Sequence, residues 1–249
     1  MKIFDITIFW IQIAPSYYGL AYALGFILGF YFLKKRKFLS EIDLENLVIY
    51  IFFWVILGWR IWYILFYNLD FYISNPFEIL AFWHGWMSFH GWVIWVIIAM
   101  LIFSKVNNKN FFDISDNVVC ALPIGLFLWR IWNYINKELL WKPYEWFLAV
   151  YKDWIWYFPS PLLEAFLEWI ILFFLLNHFY RKRKYKWEIW WYFLFFYGIF
   201  RFSVEFIRIP DSQIWYVFWW LTLWQILSIP MIIIWIYFAY FFKKHPDEK

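Results

Sequence analysis

The stretch SPLLEAFLEWIILFFLLNHFYRKRKYKWEIWWYFLFFYGIFRFSVEFIR, residues 160–208, decides the class of fold. It opens with an apolar run over 160–180. The basic segment RKRKYK at 181–186 cuts it, and a second apolar run follows over 188–208. Each run has the roughly 20 residues that cross the hydrocarbon core of a bilayer as a helix. Neither alternates strictly, so helices rather than strands are implied. Outward from this stretch the pattern repeats, with apolar runs at 14–33, 46–66, 87–104, 115–135 and 217–242. Short polar segments separate them: KKRK at 34–37, KVNNK at 105–109 and KKHPDEK at 243–249. The expected fold is all-α: a polytopic membrane protein of about seven transmembrane helices, forming one domain over 1–249.

Composition agrees. Of 249 residues, 65% are hydrophobic and 16% charged. Soluble domains carry about 25% charged and about 45–50% apolar residues. A soluble globule and a disordered chain are both excluded on this ground. The single cysteine, Cys120, excludes an internal disulfide framework and a multi-cysteine metal site. It reads as a small buried apolar residue.

Orientation follows from the basic residues near the run ends. The segments after runs 1, 3, 5 and 7 hold 14 of the 22 Lys and Arg residues, while those after runs 2, 4 and 6 hold Lys137, Lys142 and Lys152. The N-terminus is therefore expected outside and the C-terminus in the cytoplasm. The first run, led by Lys2 and Asp5 and followed at once by KKRK, reads as a retained span rather than a cleaved signal. The outside segment 137–158 carries WKPYEWF and KDWIWYF and is expected to form a small, reduced periplasmic cap.

Charges within apolar spans cost roughly 2.5–3.5 kcal/mol each on insertion scales, so they mark function or tight pairing. In run 6, Tyr197, Arg201, Glu205 and Arg208 fall within about 80° of one helix face at 100° per residue. Two readings stay open: a buried ion pair between Arg201 and Glu205, or a stripe that holds an anion, since one carboxylate cannot neutralise two arginines. Run 4 adds Arg130 and Asn133 on a shared face, with Asn136 and Glu138 where the helix unwinds. Run 2 contributes Arg60, either snorkelling to the interface or functional. Glu164 and Glu168 of run 5, one turn apart, need cationic partners, and the arginines are the candidates. His90 stands at the start of run 3, and an unperturbed histidine suits proton abstraction near neutrality. Arginine binds phosphate through a planar fork of donors, and the abundant phosphate of a membrane is the phospholipid head group. The residues thus describe a phospholipid site with base chemistry, open to the outer face.

These segments carry a resemblance. SYYGLAYALGF (16–26), ENLVIY (45–50), GWRIWYILFYN (58–68), GWMSFHGWVIW (85–95), WRIWNYINKEL (129–139), YGIFRFSVEFIRIPDSQ (197–213) and QILSIPMI (225–232) resemble, in order, the motifs of the bacterial prolipoprotein diacylglyceryl transferases. The resemblance implies transfer of diacylglyceryl from phosphatidylglycerol to the lipobox cysteine of prolipoproteins, in the bacterial inner membrane and without a metal or cofactor. It implies His90, Arg130, Arg201, Glu138 and Glu205 as catalytic. It also implies Tyr18, Arg60, Arg130, Asn133, Asn136, Tyr197, Arg201 and Arg208 as binding phosphatidylglycerol. The partners implied are phosphatidylglycerol, lipobox peptides and membrane lipid; nucleic acid is not expected. One segment departs: FPSPLLE (158–164) keeps Pro159, Ser160 and Glu164 but lacks the His, Gln and Tyr of its counterpart. The rival readings are an anion transporter or channel with an arginine-lined interior, and an inactive family member.

A second departure is compositional. The chain has 23 Trp and 8 Gly, whereas Gly is usually about 7% of residues. By the resemblance, Trp54, Trp59, Trp62, Trp86, Trp92, Trp95, Trp129, Trp132, Trp141, Trp169, Trp187, Trp191 and Trp224 stand where the family has glycine. Repeated exchange of the smallest residue for the largest, in one direction, suggests UGA codons that the host reads as glycine.

Overall fold

Each of the apolar runs is occupied by a helix. The computed structural model describes residues 6–8, 11–13, 17–67, 69–75, 89–137, 143–145, 148–206, 216–218 and 221–244. The helices are α1 (Tyr17–Arg36), α2 (Glu41–Tyr67), α3 (Leu69–Ser74), α4 (Phe89–Val106), α5 (Phe111–Ile135), α6 (Ser160–Glu164), α7 (Leu172–Lys182), α8 (Glu188–Glu205) and α9 (Leu223–Lys244). A π-helical segment, Ala165–Ile171, joins α6 to α7 without a break. Three two-stranded antiparallel hairpins complete the described structure: β1 (Ile6–Ile8) with β2 (Ile11–Ile13), β3 (Val150–Lys152) with β4 (Ile155–Tyr157), and β5 (Tyr216–Phe218) with β6 (Leu221–Thr222).

Polar side chains punctuate the helices where the sequence offers caps. Ser40 Oγ accepts the Asp43 N–H at 3.1 Å at the start of α2, and Asn110 Oδ1 accepts the Asp113 N–H at 3.1 Å at the start of α5. Thr222 and Gln225 cap α9 reciprocally, each side chain accepting the other's backbone N–H, at 3.1 and 3.3 Å. Such boxes satisfy donors that a helix leaves unpaired at its first turn.

The chain divides into two compact units, residues 33–115 and residues 1–32 together with 116–249. In the first, α2 packs on α4. Leu44, Leu47, Ile51 and Val55, three or four residues apart on α2, are buried, as are Ala99, Met100 and Phe103 of α4. The Tyr50 and Phe103 rings meet edge-on at 5.7 Å, and Trp54 stacks on Trp95 at 5.4 Å. Lys109, beyond α4, pairs with Asp43 at 2.7 Å. Asp43 lies ahead of the apolar run. Its carboxyl is held below the usual carboxylate range by the Lys109 hydrogen bond and then by Ser40.

In the second unit, Val119 and Cys120 of α5, Ala165 and Trp169 of the π segment, Leu172 and Leu176 of α7 and Ile189 of α8 form the core. Cys120 is fully buried, its thiol facing the Leu176 carbonyl at 3.9 Å. Helices α8 and α9 approach closely because Gly198 carries no Cβ: one there would lie 3.2 Å from Ile232 and 3.3 Å from the Ser228 carbonyl. Phe195 stacks on Trp235 at 4.0 Å and Trp191 on Phe238 at 4.1 Å across the same contact. Asp116, fully buried near the start of α5, accepts the N–H groups of Trp187 at 2.8 Å and Trp190 at 3.3 Å and pairs with Arg183 at 3.2 Å. It thereby fixes the basic segment to the start of α8.

Polarity is inverted relative to a soluble protein. Large apolar side chains face outward along α1, α2 and α9, among them Tyr31, Phe53, Ile233 and Tyr240, while Arg60, Asp116, Asn133, Glu164, Glu168, Arg201 and Glu205 are buried. Exposed apolar surface on this scale marks contact with an apolar medium. Helix α5 and the continuous helix Ser160–Lys182, of 25 and 23 residues with mean hydropathy 1.6 and 1.7, are each long and apolar enough to cross a membrane. The apolar stretches Ile94–Val106 and Trp224–Phe238 are shorter.

Candidate functional site: a buried arginine–carboxylate cluster

Three helices bring buried charges of the second unit together. Arg130 stands on α5. Glu164 ends α6, Glu168 lies in the π segment, and Arg201 and Glu205 stand one turn apart on α8. Glu164 is shared: its Oε2 accepts from Arg130 Nη2 at 2.6 Å and from Arg201 Nη1 at 3.3 Å. Arg201 also lies 3.6 Å from Glu168 Oε1 and 3.1 Å from Glu205 Oε2. Its guanidinium sits over the Trp224 ring of α9 at 5.1 Å. Pro161 in the first turn starts the helix that presents Glu164, since a missing N–H costs nothing there. Insertions of π geometry recur at functional sites, and this one delivers Glu164 and Glu168 to Arg201 from successive turns.

Arg201 is locked and Arg130 is less so. The Arg201 side chain is 3% exposed and surrounded by three carboxylates; that of Arg130 is 14% exposed and meets Glu164 alone among them. Arg130 Nε is buried without a hydrogen-bond partner. A guanidinium has five N–H donors in a planar fork, so Arg130 retains donor capacity for an incoming anion. Read alone, the α8 stripe carried a surplus of positive charge. In the structure Glu164 and Glu168 arrive from the facing helix, so Arg201 meets three carboxylates; Arg208, the second arginine of the stripe, lies outside the described residues. The ion-pair reading of Arg201 with Glu205 and the need of Glu164 and Glu168 for arginine partners are both met.

The remaining candidates are placed as follows. Asn133 is buried on α5, one turn beyond Arg130. Tyr197 is one turn before Arg201 on α8, its ring 5.8 Å from that of Trp169 and 5.6 Å from that of Phe193. Asn136 follows the end of α5, its N–H bonded to the Trp132 carbonyl at 2.9 Å. Arg60, in the other unit, is buried beneath the Tyr72 ring at 5.1 Å. His90 is the second residue of α4 and Tyr18 the second of α1; their side chains lie outside the described structure, as do Glu138 and Arg208 altogether. Glu164 and Glu168 are the site residues that sequence reasoning left unassigned. Their signal was the i, i+4 pair of carboxylates in an apolar run. Among the described residues no group of three or more His, Cys, Asp or Glu is arranged to hold a metal ion.

Outward apolar side chains and a buried charged cluster are consistent with a helical membrane protein that carries a polar site. The class narrows by comparison. The family model for prolipoprotein diacylglyceryl transferase matches residues 6–241, and the chain belongs to that family. It is 42% identical over 237 residues to the phosphatidylglycerol–prolipoprotein diacylglyceryl transferase of Pseudomonas putida, covering 87% of this chain and 85% of that protein. The identically named protein of Pseudomonas savastanoi pv. phaseolicola is 40% identical over 251 residues, covering 92% and 90%. That of Aeromonas hydrophila is 39% identical over 236 residues, covering 89% and 84%.

Proposed function

We propose that the protein transfers the diacylglyceryl group of phosphatidylglycerol to prolipoproteins, as the names of its relatives describe for them, and that the acceptor is the lipobox cysteine. Family membership over nearly the whole chain supports this, and so does the observation that carries the chemistry: two buried arginines meeting at one carboxylate, with Arg130 keeping donors to spare. The relatives' names do not favour a transporter.

The thiol gives its proton to His90, and the sulfur electron pair forms a C–S bond at the terminal glyceryl carbon. The C–O bond to phosphate breaks, and its electron pair leaves with glycerol phosphate. A thiol has an ordinary pKa near 8.5, so a base raises the thiolate fraction near neutral pH. Charge grows on the leaving phosphate, where Arg130 and Arg201 stabilise it. Glu205 and Glu138 hold the arginines in place. Tyr18, Arg60, Asn133, Asn136, Tyr197 and Arg208 orient the head group. The reaction requires no metal or organic cofactor. The test is intact-mass measurement of a lipobox peptide after incubation with the purified protein and phosphatidylglycerol. A diacylglyceryl adduct on the cysteine is expected; an unmodified peptide with the protein folded would sink the reading.

The same reading places the chain in the bacterial inner membrane as one transferase domain over 1–249. It has seven spans, the N-terminus outside and the segments 34–37, 105–109, 181–186 and 243–249 in the cytoplasm. In a Cys120→Ala background, cysteines introduced at Lys35 or Arg183 are expected to resist an impermeant thiol reagent applied to intact cells and to react after lysis. Labelling of intact cells at either position would reverse the orientation.

A further inference from the structure

Residues other than glycine avoid positive φ because Cβ then crowds the backbone. Among the described residues two tryptophans adopt it, beside Lys37, Asn108, Lys137, Leu148 and Asp153. Trp154 has φ 67° and is the second residue of the two-residue loop Asp153–Trp154 that closes β3 on β4, where Lys152 pairs with Ile155 and Asp153 has φ 49°. A hairpin loop with positive φ at both central residues is a type I′ turn, whose favoured sequences are Asn-Gly and Asp-Gly. Trp154 is 90% exposed, so little packing offsets its strain. Trp187 has φ 86° and ψ −6° immediately before α8. The hydrogen bond from its N–H to buried Asp116 ties it to that conformation.

A third tryptophan is misplaced for a different reason. Trp169 lies in the π segment beside the arginine–carboxylate cluster, 4% exposed, with its indole N–H buried and lacking an acceptor. Burying a donor without a partner is unfavourable. One replacement relieves all three positions: glycine supplies positive φ at no steric cost and carries no indole N–H. Chance substitution does not choose one amino acid for a turn, a helix cap and a buried site. A codon does, and Trp and Gly share one, because UGA is read as Trp in one variant genetic code and as Gly in another. The chain-wide excess of Trp over Gly, 23 to 8, runs in the same direction.

We infer that residues 154, 187 and 169 are glycine in the protein its host makes, and that UGA encodes them. For position 154 the turn geometry alone carries the assignment. For position 187 it is the αL helix start anchored on Asp116. At position 169, glycine removes a ring that packs on Tyr197 next to Arg201 and leaves room there for a ligand; only this consequence rests on the proposed function.

The gene and the native protein decide it independently of any activity. UGA is expected at codons 154, 169 and 187, and the native tryptic peptide that follows Lys186 should begin with glycine in place of tryptophan. UGG at 154 or 187, or tryptophan as the first residue of that peptide, overturns the inference; UGG at 169 overturns it for that position. In the chain carrying tryptophan throughout, W154G and W187G are each expected to raise the unfolding midpoint in detergent by about 2–4 °C. W190G, in the interior of α8, is expected to lower it, because glycine is a poor helix residue. If W154G and W187G lower the midpoint as W190G does, the backbone argument fails.

Discussion

Replacing Arg201 with alanine is expected to destabilise the protein by about 3–5 kcal/mol, the usual cost of stripping one partner from a buried ion pair, and to abolish diacylglyceryl transfer. The reason is geometric. Arg201 lies within 3.6 Å of Glu164, Glu168 and Glu205, each 0–1% exposed. Without it, the only other guanidinium of the described cluster is that of Arg130, which meets Glu164. Arg201→Lys keeps the charge but not the planar fork. It is expected to recover much of the stability and little of the activity. Denaturant unfolding in detergent, read beside the transfer assay, separates the two effects. An Arg201→Ala protein with an unchanged midpoint would mean that the carboxylates do not depend on this arginine.

Arg130→Lys is expected to slow transfer by about 10²–10³-fold, the range seen when one preorganised transition-state donor is removed. Its unfolding midpoint should change little. A lysine ammonium can still reach Glu164, but as a point charge it cannot offer phosphate the bidentate donors of a guanidinium. Because the positive charge is kept, binding of the anionic lipid should weaken less than the maximal rate, so the loss belongs in kcat more than in KM. Arg36→Lys, in the last turn of α1, serves as the control and should leave transfer unchanged. Near-full activity in Arg130→Lys would remove Arg130 from transition-state stabilisation.

Both expectations depend on a cluster whose members were only partly visible as a group in the sequence. Arg201 and Glu205 were legible together, because residues four apart on a helix share a face, and the structure pairs them. Glu164 and Glu168 were legible as a carboxylate pair needing cations, but not as partners of particular arginines. No spacing within one helix reveals that Glu164, from 37 residues upstream of Arg201, accepts from it and from Arg130 at once. The α8 stripe taken by itself therefore looked like a site short of negative charge. The facing helix adds two carboxylates around Arg201.

The positions of the helices were the most secure reading. Hydrophobic run length is a local property, and each apolar run coincides with a helix whose ends shift by a few residues. The run at 217–242 shifted most, because β5 and β6 precede α9, which begins only at Leu223. The 137–158 segment was expected to be a cap, and its described residues include the β3–β4 hairpin, held to Lys137 by the hydrogen bond from Lys137 Nζ to the Tyr151 carbonyl at 3.1 Å.

The sequence by itself determined that this chain is a set of apolar helices with charges inside them, and its ordered motifs pointed to the family. Those are properties of composition, period and order, which each segment carries alone. Tertiary structure decided which charges meet, that Glu164 bridges two arginines, that Asp116 anchors the start of α8, and that the backbone at 154 and 187 asks for glycine. Each of these depends on groups distant in sequence or on a turn closed by its strands, and such contacts exist only once the helices have packed.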